Sequence, residues 1–196
     1  MHRHSLLLTV LAGTLILGNC SLLGSDGNGK LQADSTYFRA TLNGESWSGS
    51  PDGSLVDIGG FDWVGIEGDT THKNRFPYRE NLLLQAEYKG IGKYPLTRTV
   101  RNLEFRSMTT GSSYYEVDGD VIISRYQPID DTSTNQLTIT SYDTTTGIME
   151  GTFRTTVVVD SADRESEPGE PPRRRPDTLR FTDGEFRVKV EDRRDQ

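Results

Sequence analysis

Cysteine occurs once in the 196 residues of this chain, at Cys20, so no intramolecular disulfide can staple it. Histidine is nearly as scarce. Of the three, His2 and His4 precede an N-terminal apolar stretch, and His72 stands in the polar run Thr70-Thr71-His72-Lys73-Asn74-Arg75. That excludes multi-histidine metal sites in the body of the chain and leaves any Ser-His-Asp triad a single candidate base. Despite 20 glycines, no phosphate loop or dinucleotide fingerprint occurs, which argues against nucleotide chemistry. Basic residues are outnumbered, 22 against 29 acidic, for a net charge of −7. Such a surface repels phosphate backbones, so nucleic acid is not an expected partner, and nothing in the sequence calls for a cofactor. Long hydrophobic runs are also missing. The longest, from Leu6 to Leu17, falls short of the roughly 20 residues a transmembrane helix needs, so the mature chain is expected to have none.

That apolar run has a recognisable setting. Basic Met1-His2-Arg3-His4 precedes it and Gly18-Asn19-Cys20 closes it, the layout of a secretory signal peptide over residues 1–19. Leu17-Gly18-Asn19-Cys20 resembles the lipobox of bacterial lipoproteins, with Asn19 where a small residue is usual. The resemblance implies that Cys20 receives a diacylglycerol on its sulfur, that acyl chains such as palmitate anchor the protein to a membrane, and that the peptide ahead is removed. Ser21, in place of Asp, implies an outer-membrane address.

Residues 20–34, rich in Gly, Ser, Asp and Asn, contain nothing that packs a core and read as a flexible tether behind the anchor. From residue 35 to 190 the pattern changes to short runs of β-branched and aromatic residues, separated by turn signals every dozen or so positions. Hydrophobic residues make up only 33% of the chain, but their alternation argues for a folded β domain over disorder. Tyr37–Leu42 runs into Asn43-Gly44, both tolerant of positive φ, and returns through Glu45-Ser46-Trp47 as a hairpin. Further strands are expected at Ser54–Ile58, Phe61–Ile66, Asn81–Tyr88, Leu103–Met108, Ser113–Val117 and Val121–Tyr126.

The C-terminal third forms a second hairpin, Gln136–Tyr142 and Ile148–Val159, with Phe153, Thr155, Val157 and Val159 on one face. Gly151 interrupts the apolar alternation and predicts a bulge or a close backbone contact. Residues 160–177, mixing Glu and Pro with Arg173-Arg174-Arg175, read as a solvated mobile loop whose arginines are neutralised by neighbouring acids. Strands at Thr178–Phe181 and Glu185–Val190 close the domain, and residues 191–196 read as a tail. The expected fold is all-β: a single antiparallel sandwich or flattened barrel behind a signal peptide and tether.

The order of five motifs adds to this reading: Phe38-x-Ala40-x-x-Asn43-Gly44-x-x-Trp47, Gly92-x-Tyr94-x-Leu96, Leu137-Thr138-Ile139-Thr140-x-Tyr142-Asp143, Gly151-Thr152-Phe153, and Asp183-Gly184-x-Phe186. Together with the lipobox this order resembles an uncharacterised family of Bacteroidetes-type lipoproteins, over about residues 36–190. The resemblance implies an envelope address and β architecture, and it carries no catalytic residues across.

Chemistry is harder to place. Asp118-Gly119-Asp120 and Asp130-Asp131 cluster oxygen ligands without the spacing of a calcium loop, and turns explain both. The many carboxylates allow an acid pair, but no two are singled out by spacing. Aromatic residues are the remaining candidates: Trp47, Trp63, Tyr78, Tyr114, Tyr115 and Tyr126 offer a platform on which a sugar or peptide can stack, with Trp63, Tyr114 and Tyr115 the candidate contacts, although any β core is also rich in aromatics; in a strand, one of the two adjacent tyrosines must point away from the core. The leading functional expectation is a non-enzymatic, lipid-anchored envelope protein that binds a ligand or a protein partner. A hydrophobe-carrying barrel predicts an apolar cavity instead, and a carboxylate hydrolase two facing acids in a cleft.

Overall fold

The structure, a computed structural model, describes residues 35–71, 78–102, 107–161 and 172–194. Cys20, His72, the first residues of the strand expected at Leu103–Met108, and residues 162–171 lie outside them. Among the described residues every regular element is a strand: β1 (Tyr37–Leu42), β2 (Glu45–Asp57), β3 (Asp62–Thr71), β4 (Tyr78–Glu87), β5 (Gly92–Pro95), β6 (Thr99–Asn102), β7 (Ser107–Asp118), β8 (Val121–Pro128), β9 (Gln136–Asp143), β10 (Ile148–Val159) and β11 (Thr178–Asp192).

Hydrogen bonding runs antiparallel through β2, β3, β4, β7 and β8 in succession. The end of β8 then pairs with β10, and β10 with β11. β11 returns to β1, which pairs with β2, and past the end of β1 it lies parallel to β2 itself. The sheet therefore closes on itself as a flattened barrel, and closure removes most of the edges an open sheet would expose. β9 pairs with the first part of β10 and carries β5 on its outer side, while β6 pairs with β7.

Local chemistry sets these turns. At Asn43-Gly44 the φ angles are +49° and +89°, and Leu42 faces Glu45 across a two-residue loop, the primed turn that matches strand twist. Asp143 starts the β9–β10 turn by accepting the amide of Thr145 at 2.8 Å. In β10 the register slips between Glu150 and Gly151. A Cβ on Gly151 would stand 2.5 Å from the Phe186 ring, so the glycine lets the ring lie against bare backbone.

Alternating residues turn inward and fill the interior. Phe38 packs on Phe153 with centroids 4.8 Å apart, and edge-on against Trp47 at 5.8 Å. Trp47 meets Phe181 at 5.5 Å, and Phe181 meets Tyr114 at 5.8 Å. Leu55, Ile66, Leu82, Leu84, Leu137 and Val157 complete the packing, all fully buried. Each such side chain contributes about 1.5–3 kcal/mol of burial free energy.

The strands differ from the sequence expectation in several places. The return through Trp47 and the strand expected at Ser54–Ile58 are a single strand, β2; β3 continues past Ile66 to Thr71; and β7 runs unbroken from Ser107 through the strand expected at Ser113–Val117. β4 starts at Tyr78, not Asn81. β5 and β6 had no counterpart in the reading. The expected break at Thr182-Asp183-Gly184 is absorbed inside one strand, where Asp183 takes φ +51° and the register with β10 shifts. β11 also runs on to Asp192, and beyond it Arg194 reaches Asp62 at 2.9 Å, so this part of the expected tail is tied down.

Candidate functional site

Two features of the barrel concentrate polar chemistry, one inside and one on the wall. The inner one follows from register. Glu80 on β4 lies directly opposite Glu116 on β7, and Glu116 opposite Ser124 on β8, so two carboxylates point into an apolar interior from adjacent positions. They are 1% and 0% exposed. Like charges facing each other across a pair of strands destabilise it unless they are compensated.

Compensation comes from the segment just ahead of β11. Arg175 places Nε 2.7 Å from Glu80 Oε1 and Nη2 2.9 Å from Oε2, a two-pronged charge-assisted contact. The backbone amides of Arg174 and Arg175 donate to Glu116 Oε1 at 3.0 and 3.1 Å. Ser124 and Tyr126 donate to Glu116 Oε2 at 2.6 and 3.0 Å, and Trp47 Nε1 to Glu80 Oε2 at 3.0 Å. The Tyr78 hydroxyl bridges the two acids, 2.7 Å from Glu116 and 3.0 Å from Glu80. Burial, and after it the bond to Glu116, pushes the Tyr78 phenol well above its ordinary pKa. Burial followed by the Glu116 charge does the same to Tyr126. For Arg175, burial works downward but the Glu80 contact outweighs it, so the guanidinium is held charged.

The neighbouring arginines are also engaged. Arg174 lies 4.1 Å over the Tyr78 ring and bonds Asp118 at 2.9 Å, and Arg173 pairs with Asp177. The sequence suggested neutralisation by acids within the loop. Instead Arg174 and Arg175 use acids of the barrel strands, and residues 172–177 are seated on it.

Chemically this is an acid pair saturated by fixed donors. A general acid or base must exchange its proton with a substrate, and here every carboxylate oxygen is occupied by the chain itself. The cluster fastens a segment to the barrel.

The second feature is a cleft of about 200 Å³ in the wall. β7 and β8 pair only as far as Tyr114 opposite Tyr126; beyond that point β8 turns to pair Pro128 with Val157 of β10. The gap that opens is lined by Tyr115, Gln85, Gln127 and Ser113, with the exposed Arg98 and Arg125 among its residues. Among the described residues, those lining it include no Asp or Glu. Gly111 fixes one rim: it takes φ +118°, and a Cβ there would lie 3.0 Å from the Thr97 carbonyl oxygen, so only glycine lets the Thr97-Arg98 backbone rest on β7.

Two further depressions, of about 490 and 290 Å³, carry mixed charge. In the first, Glu87 is engaged by Lys89 and Arg101; in the second, Glu185 is held by Arg39.

Of the residues singled out from sequence, Tyr115 is half-buried and lines the cleft. Tyr114 points inward and is fully buried, packed edge-on with Tyr126 at 5.3 Å. Trp63 is 3% exposed, and its buried Nε1 has no hydrogen-bond partner. The structure does not bring the three together. Among the described residues no group of three or more His, Cys, Asp or Glu is placed to hold a metal.

Sequence reasoning missed Glu80, Glu116 and Arg175. The signal was present in the alternations Tyr78-x-Glu80-x-Leu82-x-Leu84 and Ser112-x-Tyr114-x-Glu116, each of which puts a carboxylate on the apolar face of a strand. The fold is a closed all-β barrel, antiparallel except where β11 runs beside β2. No family model matches the chain, nor does any curated protein or solved structure match it significantly.

Proposed function

We propose that this chain is a lipid-anchored protein of the bacterial cell envelope whose barrel binds a small polar ligand in the cleft where β7 and β8 part, without catalysing a reaction. The observation that carries the binding reading is the cleft itself, a concave polar site on a rigid wall with Tyr115 offering a ring beside amides, hydroxyls and arginines. The anchor rests on Leu17-Gly18-Asn19-Cys20 and the apolar run ahead of it.

The two other readings lack this support. A hydrophobe carrier needs an apolar cavity inside the barrel, and the interior between Phe38, Phe153, Phe181 and Tyr114 is occupied by their own rings. A carboxylate hydrolase needs an acid pair open to substrate, and Glu80 and Glu116 are sealed under Arg175.

The anchor is tested by the intact mass of the protein from native membranes, beside a Cys20→Ala form. The expected result is a diacylglyceryl-modified chain starting at residue 20, and an unlipidated soluble product would overturn it. Protease accessibility on whole cells then reports which side of the membrane the cleft faces.

A further inference from the structure

We infer that the basic face formed by the β4–β5 connection, β5 and β6 docks on an anionic membrane surface, with Ile91 entering the interface and Lys89, Lys93 and Arg101 meeting lipid phosphates; this inference rests on the lipid anchor proposed above.

Charge selects this face. From Lys89 to Asn102 the chain carries Lys89, Lys93, Arg98 and Arg101 and no Asp or Glu, within a protein of net charge −7. Lys89 and Arg101 share one carboxylate, that of Glu87, at 3.3 and 2.8 Å. One carboxylate cannot neutralise two cations. Among the described residues no carboxylate pairs with Lys93 or Arg98, and Asp62 on the adjacent β3 is held by Arg194 at 2.9 Å. The face is therefore cationic after its ion pairs are counted, and basic residues beside an anionic bilayer are attracted to it within a Debye length.

Exposed apolar groups fall in the same region. Ile91 is 67% exposed, and Val100 on β6 is 47% exposed. Ile91 borders the depression of about 490 Å³ together with Lys89, Lys93 and Tyr94. Its setting is firm: the Tyr94 hydroxyl donates to the Gly90 carbonyl and accepts a hydrogen bond from the Lys89 amide at 3.0 Å. Aliphatic side chains among basic ones combine apolar burial with attraction to anionic lipid, the two terms that hold a protein at an interface. Val121 and Ile122, also exposed, stand at the other end of β4 and β7, beside Asp118 and Asp120. An anionic surface is repelled there.

A peptide strand is a poorer occupant. Leu96 turns its amide to the Asn135 carbonyl on the β9 side, so by alternation Lys93 and Pro95 present the outer edge of β5. Proline has no N–H to offer and lysine charges the edge, two devices that block strand addition.

Strand direction agrees with a membrane partner. β1 begins opposite Arg187 and ends opposite Phe181, while β11 continues to Asp192 beside Leu55. Leu55 leads across the sheet through Val64 to Ala86, at the end of β4 from which Ile91 follows. β1 therefore starts nearer the end that carries Ile91 and runs away from it. Residues 20–34 span at most about 50 Å when extended. So short a link keeps the face at high effective concentration beside the bilayer, and weak contacts suffice.

The test uses the protein purified from membranes and carrying Ile91→Trp, in vesicles of phosphatidylcholine alone or of equal parts phosphatidylcholine and phosphatidylglycerol, the phosphatidylcholine brominated on its acyl chains. Trp47 and Trp63 are buried, at 5% and 3% exposure, so the parent protein supplies their background. In the anionic vesicles the new indole is expected to lose at least half of its emission to the bromines, and in the neutral ones little. Raised salt, or Lys89→Gln combined with Lys93→Glu, should restore the emission with unfolding midpoints preserved. Ile122→Trp, at the other end, should stay bright in both. Equal quenching in neutral and anionic vesicles would overturn the role of charge, and quenching of Ile122→Trp in place of Ile91→Trp would overturn the orientation. No quenching in either vesicle would overturn the inference and leave the face to an acidic soluble partner. The mass of the same preparation judges the anchor separately: an unlipidated chain overturns the anchor, and a lipidated chain with a silent reporter overturns only the docking.

Discussion

Arg175 and Glu80 are 95 residues apart in the chain, and both oxygens of the carboxylate meet the guanidinium, at 2.7 and 2.9 Å. Glu80 is 1% exposed and the arginine side chain 24%, so the pair is largely out of water. Removing one partner of such a pair leaves an uncompensated buried charge, which costs about 3–5 kcal/mol. Here Glu116 faces Glu80 directly, so the guanidinium's removal leaves two carboxyl groups adjacent with no cation between them. Arg175→Ala is therefore expected to lower stability by about 3 kcal/mol in denaturant unfolding, near the lower end because the arginine keeps some solvent. Arg175→Lys retains the charge without the fork and should recover only part of the loss. Glu80→Gln combined with Arg175→Met should be more stable than Arg175→Ala alone, because it removes the carboxylate that has lost its guanidinium and leaves Glu116 on its own donors. An Arg175→Ala protein as stable as the parent would show that the contact fastens nothing.

The same cluster sets the behaviour at high pH. Tyr78, Tyr114 and Tyr126 are all pushed upward, in each case first by burial. A group whose pKa is raised by folding supplies stability that is complete below its unfolded value, about 10 for tyrosine, and is lost as pH climbs above that value. The barrel should hold full stability on this account up to about pH 10 and weaken beyond it. Absorbance titration of phenolate is expected to show a late component that ionises together with unfolding. Tyr78→Phe should shrink that component. A titration in which all eight tyrosines ionise in one early step, with the fold intact, would contradict this.

Gly151 offers a backbone test. A Cβ at this position would lie 2.1 Å from the Thr138 carbonyl oxygen and 2.5 Å from the Phe186 ring. Both neighbours belong to paired strands, and the ring is 1% exposed, so neither can yield cheaply. Overpacking of this kind costs about 1–3 kcal/mol, and Gly151→Ala should fall at the upper end. Differential scanning calorimetry against Gly60→Ala, where open space surrounds the glycine, separates the clash from the general effect of losing a glycine. That comparison carries its own strain, because Gly60 has φ +80°. The prediction is that Gly151→Ala remains clearly the worse of the two.

Much of this architecture was legible in the sequence because strand pairing obeys local signals. Asn43-Gly44 specifies a primed turn by its φ preferences, Asp143 a turn by its side-chain oxygens, and Gly151 a bulge by interrupting Phe153-x-Thr155-x-Val157. Closure was not legible, since nothing local says that β11 returns to both β1 and β2. The acid cluster was hidden for a related reason. Arg79-Glu80 falls just outside the strand expected from Asn81 until β4 is known to begin at Tyr78, and the partner of Glu80 lies in a proline- and arginine-rich segment that composition alone classes as solvated. The wall cleft depends on β8 leaving β7 for β10, a change of partner that alternation cannot encode. Tyr115 could be named as a candidate from sequence, but its companions Arg98 and Gln127 could not.

The adjacent tyrosines give the sharpest contrast between core and cleft. Tyr114 is 0% exposed, lies opposite Tyr126 and packs on Phe181. Tyr115 lies opposite Arg125 and is half-buried on the other face. Because side chains alternate along a strand, two neighbours of identical type occupy two different environments. Tyr114→Ala removes a buried ring and leaves a cavity, with an expected loss of about 3–5 kcal/mol by the measure of large aromatic truncations. Tyr115→Ala should cost no more than about 1 kcal/mol, because its ring lies on the outer face of the strand and is only partly buried. Denaturant midpoints with unchanged slopes would report these losses directly. If the two costs came out equal, or reversed, the register of β7 against β8 would have to be off by one residue, and the cleft would then be lined by the opposite face of the strand.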